Sequence, residues 1–114
     1  MHSDGEGNQI QKREEIYFMA YKFLIHEPGD SVGVAVSDIQ AGEKVAGTYL
    51  HDHSKSIEVV ARQDIPLGHK IALAAVPERG QVIKYGVVIG AATKPIAVGE
   101  HVHVHNLKSL RWGK

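Results

Sequence analysis

The stretch Gly99-Glu100-His101-Val102-His103-Val104-His105-Asn106-Leu107 carries three histidines at alternate positions. Successive side chains of a β-strand point to opposite faces. This spacing therefore sets Val102 and Val104 on a core face and His101, His103 and His105 on the other. A row of imidazoles adds little to a core, because each ring carries polar nitrogens that need partners when buried. Imidazole ligates metals and moves protons near neutral pH, yet it is also ordinary on a solvated strand face. The pattern alone leaves both readings open. Alternate strand residues lie roughly 6.5–7 Å apart, so two neighbouring histidines can share one ion, whereas the outer pair, about 13 Å apart, cannot. Unless a bulge intervenes, any metal site must be completed from another strand or another polypeptide.

The rest of the chain has to position that face. Its 114 residues give room for one domain with one modest core. Thirteen basic and 13 acidic residues leave a formal net charge of zero, so no electrostatic case exists for nucleic acid or an anionic membrane. Cysteine is absent, which excludes disulfides, thiolate metal sites and a cysteine nucleophile. No apolar run approaches membrane-spanning length and no secretory h-region is visible, so a cytoplasmic protein is expected.

Residues 1–18 differ in character from the remainder. The segment His2-Ser3-Asp4-Gly5-Glu6-Gly7-Asn8-Gln9 is polar and glycine-rich, with nothing to bury. Residues 11–18 have the makings of a short, weakly docked helix. Arg13-Glu14-Glu15 can be encoded by a purine-rich run resembling a ribosome-binding site just upstream of Met19. The natural start is therefore expected at Met19, with residues 1–18 a leader and residues 19–114 the domain.

From Tyr21 onward the sequence predicts short strands separated by turns: 21–26, 31–37, 44–50, 56–61, 70–74, 82–84, 87–89 and the histidine stretch. Val32, Val34 and Val36 share one face of the second strand. Glu27-Pro28-Gly29-Asp30 reads as a turn, and His51-Asp52-His53-Ser54-Lys55 as a solvated loop. No helical period is sustained, which predicts an all-β domain, a small β-clip of short strands with Gly and Pro turns. An internal echo supports this. Asp38-Ile39-Gln40-Ala41-Gly42-Glu43 recurs as Asp64-Ile65-Pro66-Leu67-Gly68-His69, and again as Pro95-Ile96-Ala97-Val98-Gly99-Glu100. Each copy reads as an isoleucine anchor, two residues, and a glycine free to adopt positive φ, feeding a strand.

Three segments taken together, 64–73 around Gly68-His69-Lys70, 82–90 around Lys84-Tyr85-Gly86, and 99–107, resemble a known family. It is the SAF-type β-clip domain of the altronate and galactarate dehydratases, and the resemblance spans residues 20–112. That family also includes the free-standing small subunit of (2R)-sulfolactate sulfo-lyase, which the insert 51–55 and the ending 107–112 resemble more. The family opens with Asp-Asn-Val; here the residues are Asp30-Ser31-Val32, so no amide stands at position 31.

The resemblance implies a subunit of a two-subunit lyase, inactive without a large catalytic partner. The reaction implied is β-elimination from a small anionic α-hydroxy acid, expelling sulfite or, in the dehydratases, water. It implies Fe²⁺ or a similar divalent ion shared with the large subunit, a group suited to imidazole and carboxylate ligands. His103 and His105 are then the expected metal ligands or proton carriers, with His69 as a further catalytic residue. Lys70 is expected to pair with a substrate carboxylate or sulfonate, Asn106 to orient one of the histidines or bind a substrate hydroxyl, and Asp30, Ser31 and Lys84 to line the same site. A non-catalytic sugar-acid binding module is the competing class, and an assembly protein a third. Self-association of the isolated subunit is left open.

Overall fold

The computed structural model describes residues 20–110. The leader, the Met19 start and the residues after Leu110 lie outside that range. Within it the regular structure is nine β-strands: β1 Phe23–Ile25, β2 Val32–Ala35, β3 Lys44–Tyr49, β4 Asp52–Val60, β5 Lys70–Ala72, β6 Gln81–Lys84, β7 Val87–Ala92, β8 His101–Val102 and β9 Leu107–Ser109. They form a six-stranded sheet in the order β4-β3-β1-β2-β5-β8 and a three-stranded sheet β6-β7-β9. The pair β1–β3 is parallel and the other pairs are antiparallel. The all-β expectation agrees with this architecture. Among the described residues no helix is long and apolar enough to cross a membrane.

Two apolar cores lie against these sheets. The first gathers Phe23, Ile25, Ala35, Ile39, Val45, Ile65 and Ile71 with their neighbours. The second gathers Val32, Ala72, Val76, Val82, Ala92, Ile96 and Val102. Strands β2 and β5 serve both, because alternation sends Ala35 and Ile71 to one and Val32 and Ala72 to the other. The ring of Phe23 lies over Gly33 and Gly47; a Cβ built at Gly47 would stand 2.1 Å from that ring. Glycine at position 47 is what lets β3 pass so close to β1.

The repeated turn is the frame's basic unit, and it occurs four times rather than three. In each copy the residue after the positive-φ position donates its N–H to a carbonyl three residues back: Glu43 to Gln40, His69 to Pro66, Gly80 to Pro77 and Glu100 to Ala97. The copy at 75–80 escapes the sequence echo because valine replaces isoleucine and Arg79, at φ 70°, stands where the other copies have glycine. The anchors pair two by two through isolated bridges. Ile39 meets Ile65 over the first core, and Val76 meets Ile96 over the second.

Two local expectations need correction. Residues 52–55 are not a separate loop but the start of β4. The register slips between Thr48 and Tyr49, and the buried Thr48 hydroxyl donates to the Lys55 carbonyl at 2.6 Å, which holds the polar insert on the sheet as a bulge. The histidine stretch is not one strand. It leaves the sheet after Val102, turns over residues 103–106, and re-enters as β9 in the other sheet. Val104, expected in a core, is 81% exposed at the tip of that turn.

Candidate functional site at the paired histidine turns

Register explains how the histidines come together. Strands β5 and β8 pair antiparallel, with Lys70 opposite Val102 and Ile71 opposite His101. Extending that register one residue outward sets His69 opposite His103. The second and fourth copies of the turn thus deliver one histidine each to the same sheet edge, and the turn after β8 adds a second from the fourth. The His69 and His103 ring centroids are 4.5 Å apart, those of His69 and His101 5.0 Å, and those of His101 and His103 5.5 Å in stacked orientation. His69 Nδ1 and His101 Nε2 share a hydrogen bond of 2.8 Å. One ring nitrogen from each of His69, His101 and His103 falls within 4.8 Å of the others. His105 flanks this trio, its ring 5.3 Å from that of His101.

Backbone hydrogen bonds pin the ring-bearing segments. His101 N–H donates to Gln63 Oε1 at 2.8 Å. Asn106, only 1% exposed, accepts from His103 N–H at its Oδ1 and donates from Nδ2 to the His101 carbonyl, both at 2.9 Å. The N–H groups of Asn106 and Leu107 close back on the His103 carbonyl. Asn106 was expected to orient one of the histidines or to bind a substrate hydroxyl. Its place is underneath, where both ends of its amide are spent on the main chain of two histidines. Asn106→Ala leaves those two groups unmatched in a buried place and will cost about 2–3 kcal/mol, measured by urea unfolding. It will also release His103 from the trio.

Electrostatics favour the neutral form of His101. The His101 pKa is lowered, first by burial and then by the neighbouring imidazoles of His69, His105 and His103 and the ammonium of Lys70. A neutral imidazole keeps a lone pair for a metal or a proton. Lys70 is also pulled down, by burial and then by the charge of Lys84.

The other expected site residues fall elsewhere in the frame. Asp30 is buried, and its carboxylate accepts from the N–H groups of Glu27, Tyr85 and Gly86, tying the Pro28–Gly29 turn to the β6–β7 hairpin. The Ser31 hydroxyl accepts from Ile83 N–H, and the Ser31 N–H donates to the Ile83 carbonyl, so position 31 joins the two sheets. Lys84 Nζ sits 5.0 Å from the Tyr85 ring centroid, and Tyr85 packs on His26. His26, Tyr49, His51 and Asp52 line a separate cleft of about 140 Å³, on the β1–β3–β4 side of the sheet and away from β8. His101 was placed on the histidine face by the sequence but not among the expected catalytic or metal-binding residues. The signal was present in the echo: had the turn at 64–68 been paired with the turn at 95–99, His69, His101 and His103 would have converged.

The model of the altronate/galactarate dehydratase SAF domain family matches residues 21–110. The chain belongs to this family. Among curated relatives, the (2R)-sulfolactate sulfo-lyase subunit alpha of Chromohalobacter salexigens is 40% identical over 95 residues, which cover 82% of this chain and 100% of that subunit. The corresponding subunit of Paracoccus pantotrophus is 44% identical over 59 residues, covering 52% of this chain and 88% of the relative. The altronate dehydratase of Bacillus subtilis is 48% identical over 80 residues, but these span 70% of this chain and only 15% of that enzyme. Within the family, then, the SAF domain occurs both as a subunit of about this size and as a small part of a much longer enzyme.

Proposed function

We propose that this chain is the small subunit of a two-subunit cytoplasmic lyase that acts on (2R)-3-sulfolactate. The observation that carries the reading is coverage: the chain aligns with the whole of one sulfo-lyase subunit but with 15% of a dehydratase. A large partner subunit then supplies what the dehydratases carry in the remainder of their chain.

The reaction is a β-elimination. The C2–H proton is removed, the C3–S bond breaks, and sulfite leaves with the bonding pair. The enol that remains takes a proton at C3 to give pyruvate. A divalent ion such as Fe²⁺ fits the histidine cluster and, when bound, supplies positive charge for the developing enolate. His105, whose ring packs on His101 beside the trio, carries the C2 proton in this reading. The charge of Lys70, next in sequence to His69, draws an anionic group of the dianionic substrate toward this edge. Val104, exposed on the turn that bears His103 and His105, marks the surface that the large subunit covers.

A sugar-acid dehydratase subunit is the second reading, favoured by the 48% identity to altronate dehydratase; hydroxide would then leave in place of sulfite. Coexpression with the cognate large subunit, and incubation with 3-sulfolactate, altronate and galactarate under anaerobic conditions with Fe²⁺, separates them. Sulfite release supports the first reading, and loss of water from a sugar acid replaces it with the second. Tight binding of a sugar acid by this chain without turnover by the pair would instead make it a binding module.

A further inference from the structure

We infer that His69, His101 and His103 form a complete three-nitrogen seat for one divalent transition-metal ion, which this chain loads on its own before meeting the large subunit. The inference rests on the lyase reading for its purpose but not for its geometry. The family resemblance led to His103 with His105 as the expected ligand pair. Spatial convergence points to a different set, because the trio's nitrogens gather within 4.8 Å whereas His105 packs on His101 from outside.

Three features favour a metal seat over a solvated histidine patch. The nitrogens of His69 and His101 face each other at 2.8 Å, so both rings aim at one point. An ion entering there replaces the shared proton, which the donor ring re-acquires on its other nitrogen, and no net proton is lost. Next, the backbone of each ligand is held: His69 by the turn bond to Pro66, His101 by Gln63, and His101 and His103 by the buried Asn106. Such supporting contacts fix ligand orientation in metal sites. Last, the ligands and their supports come from two separate stretches of chain, 63–69 and 101–106, so the cluster exists only in the folded domain.

The ligand set also selects the ion. Three imidazoles with no carboxylate and no thiolate suit Fe²⁺, Co²⁺, Ni²⁺ and Zn²⁺, and give Mg²⁺ and Ca²⁺ none of the oxygen ligands they require. Three protein nitrogens also leave coordination positions for substrate, water or a residue of the partner.

The test uses the full chain without its partner. Titration calorimetry with Zn²⁺, and the visible absorption of Co²⁺, are expected to show one equivalent bound, with no response to Mg²⁺. His69→Ala, His101→Ala and His103→Ala should each weaken Zn²⁺ by at least about 100-fold, more than loss of a supporting contact does; His105→Ala should leave it unchanged. Histidine ring NMR of the wild-type chain, needing no variant to fold, should show Zn²⁺ perturbing the three rings of the trio. No binding by the isolated chain would overturn the inference, as would binding that survives His101→Ala but is lost in His105→Ala. An active pair whose small subunit alone binds no ion overturns this inference and leaves the lyase reading standing. An ion bound by the trio in a pair that turns over none of the three substrates does the reverse.

Discussion

His101→Ala will lower kcat of the assembled two-subunit enzyme by at least about 10³-fold, while the domain itself stays folded. The activity loss follows from position. The His101 ring lies 5.0, 5.5 and 5.3 Å from those of His69, His103 and His105, so it alone touches every other member of the cluster. Removing it takes away the partner of the His69 hydrogen bond and one ligand of the seat, and it separates His105 from the trio. Groups that act as a unit are lost together, and removal of one such group commonly costs 10³-fold or more. Stability is governed elsewhere. His101 is half-buried at the edge of the sheet, where a truncation costs about 1 kcal/mol or less. Steady-state kinetics beside a urea melt separates the two effects. Full activity in His101→Ala would remove the histidine cluster from the mechanism.

Gly99→Ala will destabilise the domain by about 3 kcal/mol or more. Two costs add at this position. The backbone sits at φ 91°, where an L side chain is strained by about 1–3 kcal/mol. A Cβ would also stand 2.0 Å from the Val60 carbonyl oxygen, and backbone cannot swing aside as a side chain does. The contact cannot be relieved cheaply, because the Gly99 carbonyl accepts from Arg62 N–H and its own N–H donates to Ala72. Gly42 and Gly68, at the same place in their own turns, have open space beside them. Gly68→Ala should therefore lose only the strain component. The urea midpoints of the two variants measure the difference. Equal losses would show that the close approach to Val60 contributes nothing.

These two positions also show how far the sequence could be read. The glycines at 42, 68 and 99, each three residues beyond an isoleucine, announced turns feeding strands, and alternation in 32–36 announced a strand. Those signals are local, and the fold class followed from them. The pairing of turns was not local. Nothing in residues 64–69 says that they lie beside 95–101, so the reading placed the three consecutive histidines on one strand face and treated His69 apart. Val104 failed for a related reason. Alternation assigns it to a core, but the Asn106 side chain captures the His103 N–H and bends the chain out of the sheet two residues after β8 begins. Arg79 hid the fourth turn by adopting a backbone conformation usually left to glycine. Asp30 and Ser31 read as polar residues in a motif. Burial and three N–H donors are what show Asp30 joining two turns, and neither is visible without coordinates.

The frame and the site are thus made from the same unit. A turn that ends in a positive-φ residue delivers the next two residues to a sheet edge, and two such turns placed side by side bring His69 and His101 into contact. A third histidine, on the turn held by Asn106, closes the cluster.

The most direct measurement is sulfite release from (2R)-3-sulfolactate by this chain and its cognate large subunit, assayed together and apart. The account predicts equal yields of sulfite and pyruvate from the pair and none from either chain alone. Turnover by the large subunit alone, at the rate of the pair, would contradict it.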